Sequence, residues 1–214
     1  MPRPAFRFSP LVLAVWLACQ TAPGSEVPYY GTPDFTPRWF ASPAEAADSV
    51  AHTVGAFRLT NQAGNVVTDK TVRGKIHVAN FFFTHCPATC PKLTQAFGKV
   101  QTAFADQPDV VLLSFSVMPW ADSVARLRDY AREHGVKAGK WHLLTGPKSA
   151  IYTLARRSYF AEETPGFAKD STQFLHTEHL VLVDRTGRIR GFYKGTQALD
   201  AERLVADVRA LLRE

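Results

Sequence analysis

Two nearly continuous apolar runs, KIHVANFFF (residues 75–83) and DVVLLSFSV (residues 109–117), do most to limit what this chain can become. Runs of this length, bounded by turn signals and rich in β-branched and aromatic residues, read as buried strands. Between them, Leu93, Phe97, Val100 and Phe104 fall at helical spacing. After the second run, ADSVARLRDYAREHG reads as a helix closed by Gly135, WHLLTG as a short strand, and PKSAIYTLARRSYF as a helix opened by Pro147. Two hairpins flank this series. AFRLTNQAGNVVTD carries a Gln-Ala-Gly-Asn turn, and HLVLVDRTGRIRGFY an Asp-Arg-Thr-Gly turn. A final helix places Leu204, Val205, Val208, Leu211 and Leu212 on one stripe. Alternating strands and helices with a closing hairpin predict an α/β domain, a mixed sheet flanked by helices, with a β-hairpin at its N-terminal end.

The stretch FFFTHCPATCPKL (residues 81–93) holds two of the three cysteines in the chain. A pair placed after the first long strand and at the start of a helix sits where a thioredoxin-like fold keeps its redox motif. Cys86 and Cys90 are four residues apart, so one helical turn brings both thiols to one face. A helix N-terminus favours thiolate through its free N–H groups and dipole, and thiolate both attacks disulfides and binds metal. Three readings follow: a copper or other soft-metal site, a redox couple, or a structural disulfide. The last is weakest, because so small a loop restricts the unfolded chain little.

The N-terminus bears on compartment. Arg3 and Arg7 precede the apolar run LVLAVWLA (residues 11–18), which ends at Cys19. A basic start and a short apolar core describe an export signal, and the run is far short of the ~20 residues of a membrane span. Cys19 after Leu17-Ala18 resembles a lipobox, with Trp16 where Leu is usual. The reading is a signal peptide over residues 1–18 and a lipid on Cys19, against an ordinary secretory signal that contains a cysteine. Residues 19–50, rich in Pro and Gly, read as a tether whose rings can pack on the domain surface, and residues 51–214 as the domain. The expected location is the bacterial cell envelope, on the periplasmic side of the membrane. A net charge of +6 without any Lys/Arg run gives no nucleic-acid arm, and a monomer is expected.

Two thiolates suit Cu(I), and an added imidazole extends the range to Cu(II) or Zn(II). Of seven histidines, His52 and His77 read as structural or exposed and His85 as a surface neighbour of the motif. His134 suits a helix C-terminus, and His142 gives no signal. His176 and His179 stand at the entrance to the late hairpin, where a preceding loop faces the cysteine motif. His179 falls within the strand, which leaves His176 as the third ligand. Ser158 to Thr172 reads as a loop over the site.

These residues resemble the Sco/SenC family of copper-binding, thioredoxin-like proteins. The likeness rests on FFFTHCPATCPKL and on LHTEHLVLVDRTGRIRGFY, whose turn at Gly187 aligns the family's metal-binding histidine with His176. The resemblance implies a copper chaperone, or a copper-linked thiol reductase, serving the dinuclear copper site of cytochrome c oxidase. Its copper would be held as Cu(I) and Cu(II) by Cys86, Cys90 and His176. Its partner would be the oxidase's copper-bearing subunit or another copper or thiol client. Leu175 and Met118 stand where the family usually has Asp, with Asp122, Glu178 and Asp184 as carboxylates that could compensate. Met118 reads as a packing thioether rather than an extra ligand. An exported thiol–disulfide oxidoreductase without a metal role is the rival reading.

Overall fold

The computed structural model describes residues 25–162, 175 and 177–214. Helix α1 spans Pro43–Ser49, and strands β1 (Arg58–Asn61) and β2 (Val66–Thr68) form the expected first hairpin. Then follow β3 (Ile76–Phe82), α2 (Thr89–Ala103), β4 (Val110–Ser116), α3 (Val124–Glu133) and β5 (Trp141–Thr145). The chain continues through α4 (Lys148–Thr153), which ends in a wider turn over Leu154–Ser158, and then β6 (His179–Val183), β7 (Ile189–Lys194) and α5 (Ala198–Arg213). Seven strands make one mixed sheet in the order β2-β1-β5-β4-β3-β6-β7. β3, β4 and β5 are parallel, and the remaining pairs are antiparallel. This is the thioredoxin-like α/β fold expected. No described helix is long and apolar enough to cross a membrane.

β3 and β4 are buried at every position, as their continuous apolar runs require when helices cover both faces. Alternation then sorts the side chains. Ile76, Val78 and Phe82 join Leu93, Phe97, Leu127, Leu204 and Val208 in one cluster under α2, α3 and α5. Ala79, Phe81, Leu113 and Phe115 join Ile151, Tyr152, Tyr159 and Val181 in a second, under α4. Gly135 and Gly187 take left-handed φ values of 65° and 84°, which end α3 and close the β6–β7 turn.

Residues 25–50 differ from the expected tether. Val27, Tyr29, Phe40, Ala46 and Val50 are buried, and Tyr30 pairs with Ile189 on the edge of β7. The clamp is Arg190, 1% exposed. Its guanidinium donates to Pro28 O (3.1 Å), Val27 O (2.7 Å), Ser25 Oγ and Glu214, pairs with Asp184, and lies 3.8 Å over the Tyr29 ring. Pro43 opens α1 behind the Ser42 cap, and Ala46 seats it against Tyr29 and Phe40. Pro and Gly are compatible with this because a docked strip needs distant partners, not local periodicity. The packed chain therefore begins well before Ala51.

Candidate metal and thiol centre

α2 begins one residue before Cys90, which leaves Cys86 ahead of the helix. Ala88 caps it without a side-chain acceptor, and Pro91 in the first turn has no N–H to satisfy. The sulfur of Cys86 takes the acceptor role instead, receiving the Cys90 amide at 3.3 Å. The loop is closed from behind by Cys86 N donating to Phe83 O, also at 3.3 Å. Both cysteines are free thiols.

The two are chemically unlike. Cys86 is half-buried, and burial pushes its pKa up; donors from the Cys90 and Ala88 backbone, the Cys90 thiol and the Thr89 backbone outweigh that and leave it below the usual thiol value. Cys90 packs among Leu93 and Phe97 in the first cluster. Burial pushes it up to about 12; a backbone contact with Phe83 opposes this, while the bond to Cys86 and the charges of Cys86 and Asp122 add to it. One sulfur is presented to solvent as the better nucleophile, and the other waits beneath it as a protonated thiol.

Asp122, one of the three carboxylates that could compensate for those missing at Leu175 and Met118, is fully buried. It accepts from Thr84 Oγ1 (2.6 Å), Ser116 Oγ (2.5 Å) and the Thr84 amide (3.3 Å), while Arg126 Nε donates to Thr84 Oγ1 at 3.2 Å. The end of β4, the start of α3 and the residue that opens the cysteine loop are thereby fixed to one another. Glu178 and Asp184 serve elsewhere: Glu178 accepts from Thr196 Oγ1, and Asp184 builds the β6–β7 turn. Met118 packs against the second cluster, and Leu175 is buried in it. Tyr152 ties these two segments together, its hydroxyl donating to Val117 O at 3.0 Å and accepting from the Leu175 backbone.

Among the described histidines, His77 is buried in β3 with Nε2 on Tyr159 Oη (3.0 Å), and burial holds its pKa down at about 3. His52 bonds Ser158 O, His142 bonds Asn61, and His134 ends α3 against Tyr130. His179 is buried beside Phe35 and Phe192, with Nδ1 3.3 Å from Ala161 O. His85 is exposed next to Cys86, its Nδ1 3.1 Å from Thr84 Oγ1. His176, Cys19 and residues 163–172 of the expected loop lie outside the described residues, as does the expected signal peptide. Among the described residues no three His, Cys, Asp or Glu side chains gather as a metal site. The sulfur pair itself is a soft donor set of the kind copper takes.

A thiol pair at the mouth of a thioredoxin-like sheet defines the class. The SCO1/SenC family model matches residues 45–213, and the chain belongs to that family. The SCO1 protein homolog of Bacillus subtilis is 28% identical over 165 residues, 76% of this chain and 84% of that protein. The human mitochondrial SCO1 homolog is 29% identical over 60% of this chain, which spans 42% of that longer protein. A SCO1/SenC family lipoprotein of Bacillus anthracis superposes with a TM-score of 0.64 at 28% identity, over 75% of this chain and 95% of that one. BsSco, a member of the Sco family of cytochrome c oxidase assembly proteins with a disulfide switch, gives 0.63 at 28% over 75% and 93%. Bradyrhizobium japonicum ScoI with copper bound gives 0.59 at 29% over 75% and 99%.

Proposed function

We propose that this chain is a copper-binding assembly factor of the bacterial cell envelope, held to the membrane by a lipid on Cys19. It would deliver copper to the dinuclear copper site of cytochrome c oxidase, or reduce that site's cysteines. The carrying observation is the sulfur pair: a half-buried thiol with a lowered pKa whose sulfur accepts the Cys90 amide at the start of α2, and the buried Cys90 thiol next to it. Copper is the cargo, with Cys86 and Cys90 supplying sulfur and His176 an imidazole. Support for His176 comes from its neighbours. The Leu175 backbone is fixed on Tyr152, and β6 begins at His179, antiparallel to β3, so its entrance lies at the end of the sheet where the cysteine loop leaves. Copper relatives such as Bradyrhizobium japonicum ScoI support the same cargo. A thiol pair losing protons to copper makes binding pH-dependent.

The asymmetry of the thiols favours a second reading, a thiol–disulfide oxidoreductase in which Cys86 attacks and Cys90 resolves. The deciding experiment is copper binding by the reduced protein and by His176→Ala. Cu(I) is followed by chelator competition and Cu(II) by thiolate charge-transfer absorption. One equivalent of each in the wild type, with Cu(II) lost in His176→Ala, is expected. Weak binding unaffected by His176→Ala would leave the oxidoreductase reading in its place.

A further inference from the structure

Because β3, β4 and β5 are parallel neighbours, their carboxyl ends open side by side along one edge. The cysteine loop follows β3, the turn Met118–Asp122 follows β4, and Pro147-Lys148 follows β5. Three helices, α2, α3 and α4, start from this edge, and none has an acidic residue in its first turn. Lys92 and Lys148 bring positive charge to this edge, while Arg126 is engaged by Thr84 and Glu133. Among the described residues the carboxylates of the edge are paired: Asp122 is buried on Thr84 and Ser116, Glu178 before β6 accepts from Thr196 and lies 3.8 Å from Lys194, and Glu133 at the far end of α3 reaches Arg126 at 3.7 Å.

In the middle of this edge stands Trp120, 60% exposed, between a packed Met118 and a buried Asp122. The indole is not loose. The Lys148 ammonium lies 5.1 Å from its centroid and 5.0 Å from that of Tyr152, and Tyr152 is fixed by its bonds to Val117 and Leu175. A held, solvent-facing indole with an ammonium on its face, on the turn that Val117 N–Phe82 O and Thr84–Asp122 bind to the loop carrying Cys86, is an anchor of the kind that dominates binding energies at interfaces. We infer that Trp120, Lys148 and Lys92 form a docking surface beside Cys86 for a protein client that presents carboxylates next to an apolar or aromatic side chain. The inference rests on the proposed function, since a client must bring its own sulfurs to Cys86.

The test uses a synthetic peptide with an internal disulfide and one phenylalanine, flanked by glutamates, glutamines or lysines. Cys86 thiolate attacks one peptide sulfur, forming a mixed disulfide and releasing the other as thiolate. Cys90 gives its proton to solvent and displaces the peptide, which leaves as a dithiol while Cys86–Cys90 closes as the disulfide. Each rate is divided by that protein's rate with 2-hydroxyethyl disulfide, which is small and neutral. The glutamate peptide should react about tenfold faster than the lysine peptide at low salt, with the gap closing in high salt. Trp120→Ala should slow the glutamate peptide about fivefold on the normalised scale. Equal rates for the three peptides, or no effect of Trp120→Ala, overturn the inference. A serine-for-cysteine version of the peptide, titrated by NMR, reads docking without thiol chemistry. If it binds with the same charge order while the protein reduces no disulfide and takes no copper, the proposed function fails and the surface stands. Self-association, or pelleting with anionic vesicles, that Trp120→Ala abolishes while peptide binding is unchanged would assign the surface to a second copy or a membrane and overturn the inference.

Discussion

Replacing Asp122 with alanine removes one carboxylate from under three donors: the Thr84 amide, the Thr84 hydroxyl and the Ser116 hydroxyl. Hydrogen bonds to a charged acceptor contribute about 1.5–3 kcal/mol each, and a stranded buried donor costs about 1–3 kcal/mol. The two hydroxyls can turn toward other acceptors, but the amide is fixed by the chain and has none. Arg126 would remain on Thr84 Oγ1 without the negative charge behind it. Together these give a loss of about 3–5 kcal/mol, the range seen when one partner of a buried charged network is removed. At about 2–4 °C per kcal/mol for a domain of this size, the midpoint should fall by roughly 10 °C. Asp122→Asn keeps an oxygen for the Thr84 amide and should lose about half as much. Urea titration and calorimetry of the reduced protein give both values. An alanine variant within about 1 kcal/mol of wild type, or an asparagine variant worse than alanine, would refute the reasoning.

Four further outcomes are expected. Iodoacetamide should modify Cys86 and spare Cys90, with a pH–rate midpoint below the ordinary thiol value, read by peptide mass mapping. Because the Cys90 pKa is raised in the folded state to about 12, its contribution to stability is complete below pH ~9 and is lost as pH climbs toward 12; Cys90→Ala should flatten that alkaline limb in a denaturation series. Arg190→Met strands Asp184 and Glu214 and releases Ser25–Pro28, so it should cost about 3–5 kcal/mol and open residues 25–42 to limited proteolysis. Leu175→Asp puts a carboxylate into an apolar cluster where the leucine is 1% exposed; a loss of about 3 kcal/mol is expected against under ~1.5 for Leu175→Met, measured by thermal melts.

Much of the fold was legible because it is written in local pattern. Continuous apolar runs marked β3 and β4, alternation and turn chemistry marked both hairpins, and the stripe from Leu204 to Leu212 marked α5. The spacing of Cys86 and Cys90 is equally local, but the shared helical turn it suggested is not formed: only Cys90 is in α2, and Cys86 lies ahead of the Ala88 cap. What escaped was settled by distant partners. The docking of residues 25–50 depends on Arg190, more than 130 residues away in sequence. The depth of Asp122 depends on Thr84, 38 residues earlier, which its place among three candidate compensating carboxylates in the sequence did not reveal. Position 118 draws attention as a missing carboxylate, yet the side chain that meets solvent in that turn is Trp120.

The strip that Arg190 holds also guards the sheet. β7 is its outermost strand on that side, and an uncovered strand offers its free N–H and C=O groups as a template to other chains. Tyr30 caps Ile189 by pairing with it, while Tyr30 and Phe35 lay their rings on Phe192. At the opposite border β2 is only three residues long, too short to nucleate much. A chain cut back to Ala51 would keep both thiols and every strand yet expose Ile189–Lys194, and should aggregate where the longer protein stays dispersed. Trimming that looks harmless at the thiol site would in that way be paid for in solubility.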